Sequence, residues 1–274
     1  MLISKKRNKV LLYVILAALS VICLYPFYMM LIMSSYSTYN IADSASMLPG
    51  TYLWENLKTV FGNGFMVFYK NSFYIAGVTT VVTLVISTLT GYGLAKFKFR
   101  FSRALWLFII AAMMIPTQVG MIGYLIEIRY LGLNGTREAI ILYYAANCFG
   151  AFWMTQFIRT NVPNEVIESA RIDGCGEFRL FLQIVIPYIK PGLATLAILQ
   201  FMWNWNGYLL PLIVLTDTDL YPVTLGISRL ANQYSTNYAA QICALSLGTL
   251  PLILIFISGS KYFISGLTAG DLKG

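Results

Sequence analysis

The sequence has no histidine, and only 11% of its 274 residues are Asp, Glu, Lys or Arg. Without imidazole there is no base poised near neutral pH and no His-ligated metal. The four cysteines, Cys23, Cys148, Cys175 and Cys243, are far apart and form no CxxC, so neither a zinc site nor a disulfide framework is indicated. No G-x-x-x-x-G-K-[ST] loop is present, which excludes a nucleotide-hydrolysing site in this chain. Paired carboxylates and a nucleophile–base set are also lacking, which argues against an intramembrane enzyme. The two halves share no repeated motif, which weakens an inverted-repeat carrier.

What the chain has is apolar length. It is 58% hydrophobic with a mean hydropathy of +0.70, more apolar surface than one soluble core can hide. A hydrocarbon layer of roughly 30 Å needs about 20 apolar residues per helical crossing. Six runs qualify: 10–33, 71–95, 104–126, 138–158, 191–215 and 242–264. The expected fold is all-α, a single polytopic domain spanning 1–274 with six transmembrane helices. The first run follows a basic stretch but lacks a small-residue cleavage motif, so it reads as a retained anchor.

Orientation follows from the basic residues. One set of flanks, including Lys5, Lys6, Lys96, Lys98, Arg159 and Arg171, holds 14 of the 19, and the other only Lys58, Lys70, Arg129, Arg137 and Arg229. Short basic loops stay in the cytoplasm, so both termini are expected there, in a multi-pass cell-membrane protein. The same bias accounts for the net charge of +8 without a nucleic-acid partner. The KFKFRFSR turn at 96–103 reads as a topological signal.

Between the crossings lie several polar segments. In the long outer connection 34–70, Trp54, Leu57, Val60 and Phe61 recur at helical spacing, which predicts an amphipathic helix on the membrane surface, ended by Gly62 and Gly64. Asn71 is read as the start of the second crossing. Asn134 and Gly135 predict a turn, with Thr136 capping the next helix.

The most specific segment is EVIESARIDGCGEFRLFLQIVIPYIKP at 165–191. Asn161 or Asn164 is positioned to cap a short helix whose apolar stripe is Val166, Ile167 and Ala170. Gly174 frees the backbone for a turn. Phe178, Phe181 and Leu182 open a second helix, and Pro187 and Pro191 punctuate the return to the membrane.

In Glu168, Ser169, Ala170, Asp173, Gly174, Cys175, Ile184, Ile186 and Pro187 this segment resembles the signature loop of ABC-importer permeases. The resemblance implies a type I importer architecture, with a cytoplasmic coupling loop at about 160–190 that docks on an ATPase. Further stretches, YLWENLKTVF, MIPTQVGMIGYL at 114–125, FMWNWNGYLLPLIVL at 201–215 and KYFISGLTAGDLKG at 261–274, are similar to the carbohydrate-uptake branch, in particular to the smaller membrane subunit of maltose-type importers. The partners so implied are a homologous second permease, two ATPase subunits, an extracytoplasmic solute-binding protein and membrane lipid. The chain itself would hold no cofactor; ATP and Mg would sit on the ATPases. Its function would be import of a sugar or oligosaccharide. The alternatives are a non-sugar cargo in the same class, or an ion-coupled secondary carrier, which the scarcity of charge within the crossings disfavours.

With a rise of 1.5 Å per residue, Gln118 and Asn204 lie roughly 20 Å from the inner ends of their runs, and Asn147 at a comparable depth. Amides offer sugar hydroxyls both donor and acceptor. Gln118, Asn147, Asn204 and Asn206 are therefore candidates to line a substrate path, with Trp203, Trp205 or Tyr208 stacking on a sugar face. Single amides also bridge neighbouring helices, so the two roles compete. In the last outer loop Gln233, Tyr234, Asn237 and Tyr238 fall where, by the resemblance, a loop contacts the binding protein.

Overall fold

Runs that are apolar on every side must satisfy each backbone amide within their own segment once inside hydrocarbon, so they become helices. The computed structural model describes residues 2–41, 47–230 and 237–268, and the regular elements among them are all helical. In chain order they begin with α1 (Leu2–Met33), α2 (Leu53–Gly62), α3 (Phe65–Lys96), α4 (Ser102–Met113) and α5 (Thr117–Tyr130). Next come α6 (Arg137–Ala145), α7 (Cys148–Asn161), α8 (Asn164–Ile172) and α9 (Glu177–Leu180). A π-helical turn, Phe181–Val185, joins α9 to α10 (Ile186–Trp205). α11 (Leu209–Val214), a 3-10 turn at Thr218–Leu220, α12 (Val223–Leu230) and α13 (Tyr238–Thr268) follow.

Four stretches among the described residues are long and apolar enough to cross a bilayer unbroken: Asn8–Met33, Phe65–Lys96, Glu177–Trp205 and Tyr238–Lys261. Two of the six apolar runs are not single unbroken helices. In the third, α4 and α5 meet at a bend of 102°, where Pro116 lacks the N–H that would continue the ladder. In the fourth, the backbone leaves helical geometry at Ala146 (ψ 65°) and restarts at α7. The fifth run begins earlier than its hydropathy suggests. Pro187 and Pro191 do not interrupt it: Ile186 N–H bonds Phe181 O, an i→i+5 closure directly before Pro187, and a π-turn is a regular way for a helix to absorb such a mismatch.

The chain divides into two compact units. One comprises residues 1–66 and 226–250. In it, α1 is exposed along its whole apolar window, as expected of a helix facing lipid. The chain leaving α1 is pinned by Asn56 of α2, whose Nδ2 donates to Ser34 O and Tyr36 O, both at 2.8 Å. The predicted stripe on α2 is only partly realised. Val60 is fully buried beside Asn56, whereas Trp54 and Phe61 stay exposed, with Lys58 over the Trp54 ring at 5.6 Å.

The other unit comprises residues 67–225 and 251–274. Its helices approach closely at small residues, the packing route open to membrane helices. A Cβ on Gly91 of α3 would stand 2.8 Å from the Met154 backbone of α7, and one on Gly150 of α7 would stand 2.3 Å from Ser87 Oγ. One core cluster gathers Tyr92, Met154, Ile158, Ile167, Leu180 and Ile189. A second gathers Met121, Tyr124, Ile128, Ile140 and Leu210. Asn71 is internal to α3 rather than at its start. It is buried, donating to Asp219 O at 2.7 Å and Tyr221 O at 3.1 Å while accepting from Arg137 Nη1 at 2.8 Å.

Candidate coupling segment and substrate path

The signature segment folds as α8 and α9 joined by a glycine turn. Neither predicted asparagine caps α8. Pro163 occupies the cap position with extended backbone (ψ 141°), and Asn161 Nδ2 donates back to Phe157 O. Asn164 is tied instead to α3: Lys96 Nζ donates to Asn164 Oδ1 at 2.7 Å and to Val162 O at 2.6 Å. α8 buries Ile167 and Ala170 and exposes Glu168 and Ser169.

Its C-terminus is a Schellman closure. Gly174 N–H bonds Arg171 O at 3.0 Å and Cys175 N–H bonds Ala170 O at 2.9 Å, with Gly174 at φ +78°. A side chain at that φ is strained, so the glycine is there for backbone geometry. Asp173 is exposed before the turn, and Cys175 packs half-buried against the core. In the second arm Leu180 and Phe181 are buried, whereas Phe178 and Leu182 are exposed. Ile184 packs on the same core and Pro187 is exposed.

Side chains that the sequence reading passed over brace the two arms. Arg171 Nε and Glu177 Oε1 form an ion pair at 2.6 Å across the glycine turn. Tyr92 of α3 donates to Glu177 Oε2 at 2.8 Å, and the Arg171 guanidinium lies 5.5 Å from the Phe97 ring centre. The bond to Glu177 holds the Arg171 pKa above its ordinary value. The signal that locates this brace is an Arg and a Glu placed symmetrically about Gly174. The outward residues include Ile172 at 86% exposure and Phe178 at 76%, together with charges of both signs, Glu168 and Asp173 and also Arg179.

The candidate path residues gather at helix breaks. Gln118 is exposed on the first turn of α5, just past the 102° bend. Asn147 occupies the break between α6 and α7, but as a cap, its Oδ1 accepting from Gly150 N–H at 2.8 Å. Asn206 ends α10 and is exposed, its Nδ2 bonded to Met202 O at 2.9 Å.

A file of tyrosines links the three breaks. Tyr143 donates to Thr117 O, its ring lies 5.6 Å from that of Tyr144, and a Cβ on Gly207 would sit 3.3 Å from Tyr144 Oη. Irregular backbone at membrane depth persists only where protein or a watery cavity satisfies it.

Asn204 is 7% exposed, and its Nδ2 has no hydrogen-bond partner among the described residues. One turn earlier Gln200 is 1% exposed with Nε2 likewise unpartnered. Gln200 was not singled out from the sequence, although two amides four apart in an apolar helix mark a shared face. Trp203 is 48% exposed beside Phe149, and Tyr208 is 42% exposed. Trp205 is not available for stacking on a ligand, being 2% exposed among Tyr69, Phe73 and Phe201.

In the unit built from 1–66 and 226–250, Asn237 caps α13. Its Oδ1 accepts from Ala240 N–H at 3.0 Å and from Thr38 Oγ1 at 2.7 Å. Tyr238 is 55% exposed. Gln233 and Tyr234 lie outside the described residues.

Residues 83–267 match the family model described as binding-protein-dependent transport system inner membrane component. The chain is 33% identical to the arabinooligosaccharides transport system permease protein AraQ of Bacillus subtilis (strain 168), over 93% of this chain and 92% of that one. It is 32% identical to the lactose transport system permease protein LacG of Rhizobium radiobacter, over 95% of both. Among solved structures, a chain of a bacterial ABC transporter involved in the import of the acidic polysaccharide alginate superposes with a TM-score of 0.81 at 22% identity, covering 95% of this chain and 98% of that one. At that identity the likeness is one of fold.

Proposed function

We propose, from the premise that this chain belongs to the family of binding-protein-dependent transport system inner membrane components, that its cargo is a sugar or oligosaccharide. The chain is a membrane transport subunit and not an enzyme. Cargo delivery falls to an extracytoplasmic binding protein and ATP hydrolysis to two separate ATPase subunits, with a homologous second permease completing the path. The chain acts as one permease domain with both termini in the cytoplasm. A carbohydrate cargo is supported by the names of the relatives, arabinooligosaccharide and lactose transport permeases, and by the chemistry of Gln118, Asn204, Trp203 and Tyr208 at the helix breaks. Amide groups pair with hydroxyls in both directions, and exposed aromatic faces stack on the apolar side of a sugar ring.

The observation that carries the coupling role is the braced turn at Gly174. It exposes Ile172 and Phe178, large apolar side chains of the kind that anchor an interface, among charged residues of both signs. Its inner side is tied to α3 by Tyr92 and Lys96. Closure of the ATPases displaces the turn, and the ties pass that displacement to α3, shifting the balance between inward-open and outward-open arrangements.

Radiolabelled oligosaccharide uptake by cells carrying Gly174→Pro tests this. Proline holds φ near −65° and cannot donate the bond now made to Arg171 O. Uptake and cargo-stimulated ATP hydrolysis are expected to disappear while the chain still reaches the membrane; normal uptake would refute the coupling role. Wild-type uptake of an amino acid or metal with no uptake of any sugar would refute the cargo.

A further inference from the structure

At the end of α3 a cavity of about 340 Å³ opens between the turn into α4 and the face of α8. Four cations line it, Lys96, Lys98, Arg159 and Arg171, against one carboxylate, Glu168. Of these, only Arg171 is in an ion pair among the described residues, and its partner is Glu177. Lys96 hydrogen-bonds neutral oxygens, those of Val162 and Asn164, with the Glu165 carboxylate acting on it only through space. Arg159 donates to Leu94 O at 3.2 Å and lies 4.7 Å from the Trp106 ring centre, again without a carboxylate. Lys96, Lys98 and Arg159 thus share one cavity with Glu168, Glu165 acts on Lys96 from outside the lining, and among the described residues neither carboxylate pairs with any of the three within 4 Å. Confining like charges in this way raises the local positive potential and favours an anion.

The turn beside the cavity says which anion. In residues 96–101, cations alternate with Phe97, Phe99 and Phe101, whose exposures are 39, 44 and 66%. Phe97 packs on Tyr92 and beside Arg171. That leaves Phe99 and Phe101 as rings interleaved with cations, a pattern that suits the boundary between headgroups and acyl chains, where rings enter the apolar layer and cations meet phosphates. A soluble anion has no use for the rings.

We propose that this cavity binds the phosphate of an anionic phospholipid at the membrane surface. Lys98 and Arg159 contact the phosphate, and the headgroup spans from the α3–α4 turn to α8, on whose rim Glu168 and Arg171 stand. The lipid would then hold the coupling helix against the end of α3, so that lipid composition tunes transport. The site takes a phosphate ester or a free phosphate by the same chemistry, and basic pockets between helices near the headgroup layer are a general lipid-recognition device.

Native mass spectrometry of the intact transporter complex in detergent, titrated with phosphatidylglycerol or phosphatidylcholine, reads binding apart from activity. Retention of phosphatidylglycerol over phosphatidylcholine is expected. Affinity should fall about fivefold in K98Q and about thirtyfold in K98Q/R159Q, given the contribution of each cation near a lipid phosphate. R159K should retain most of the affinity, and K190Q, outside the cavity, should leave it unchanged. Lys98 is exposed, so K98Q keeps the test valid if the double variant misfolds. Calorimetry with inorganic phosphate on delipidated complex separates the two sources: phosphate binding with the same dependence on Lys98, and no phosphatidylglycerol binding, would keep the anion site but overturn the lipid assignment. Absence of both, or lipid retention undiminished in K98Q and K98Q/R159Q, would overturn the site. So would loss of the ATPase subunit from K98Q with lipid retention intact, which would mark the cavity as a protein contact.

Discussion

At the scale of single residues, the same chemical type does opposite things according to its partners. Asn71 and Asn204 are both buried asparagines in long apolar helices. Asn71 completes three hydrogen bonds to distant parts of the chain, whereas the Asn204 amide nitrogen completes none among the described residues. Removing a satisfied hub strands its partners, at about 1–3 kcal/mol for each buried polar group left unpaired. Asn71→Leu is therefore expected to lower the melting temperature of the purified chain markedly. Asn204→Leu is expected to leave melting unchanged or raise it while reducing oligosaccharide uptake; the reverse pattern would assign structure to Asn204 and transport to Asn71. Glycines divide in the same way. Gly91→Leu forces α3 from the Met154 backbone and is expected to cost about 1–3 kcal/mol as overpacking does. Gly77→Leu, with nothing within 4 Å of its Cβ, is expected to melt like the parent.

At the scale of elements, the helix–turn–helix of the proposed coupling segment was legible because its signals are local. A glycine between two charged helical stretches predicts a positive-φ closure, and Gly174 makes one at φ +78°. Capping there departs from expectation for one local and one distant reason. Asparagine is a good cap, but Pro163 already supplies extended backbone, and Asn164 is drawn to Lys96 by a contact 68 positions away. The Arg171–Glu177 brace separates stability from transmission. Both side chains are exposed, at 37 and 46%, so water screens the pair and its worth to folding is under about 1 kcal/mol. R171Q/E177Q is accordingly expected to melt within a degree or two of the parent, yet to lose most cargo-stimulated ATP hydrolysis. Full stimulation in that variant would remove the brace from the transmission route.

At the scale of the whole molecule, the orientation inferred from basic flanks is open to direct measurement. With the four native cysteines replaced by serine, Phe178→Cys and Tyr39→Cys place single thiols on exposed positions of loops that the basic flanks assign to different sides of the membrane. A membrane-impermeant maleimide is expected to label Tyr39→Cys in intact cells and Phe178→Cys only in inverted vesicles. Labelling of Phe178→Cys from outside would invert the topology and place the coupling turn on the wrong side of the membrane for an ATPase.

The amino-acid sequence alone determined that the chain is helical and lives in a bilayer, because apolar length and scarce charge leave no other way to satisfy the backbone. It also determined the glycine turn and the Thr136 cap, where Ala139 N–H meets the threonine oxygen at 3.3 Å, since both depend on residues a few positions apart. Tertiary structure decided the rest. It decided where the third and fourth runs break, that Trp205 is enclosed while Trp203 is open, that Asn71 is a hub, and that Tyr92 and Lys96 tie α3 to the arms on either side of Gly174. Apart from the break at Pro116, which is local, the enclosure of Trp205, the Asn71 hub and the ties of Tyr92 and Lys96 turn on groups 68 to 148 positions apart, and hydropathy, which averages over a local window, carries no information about which side chain of a uniformly apolar helix meets which neighbour.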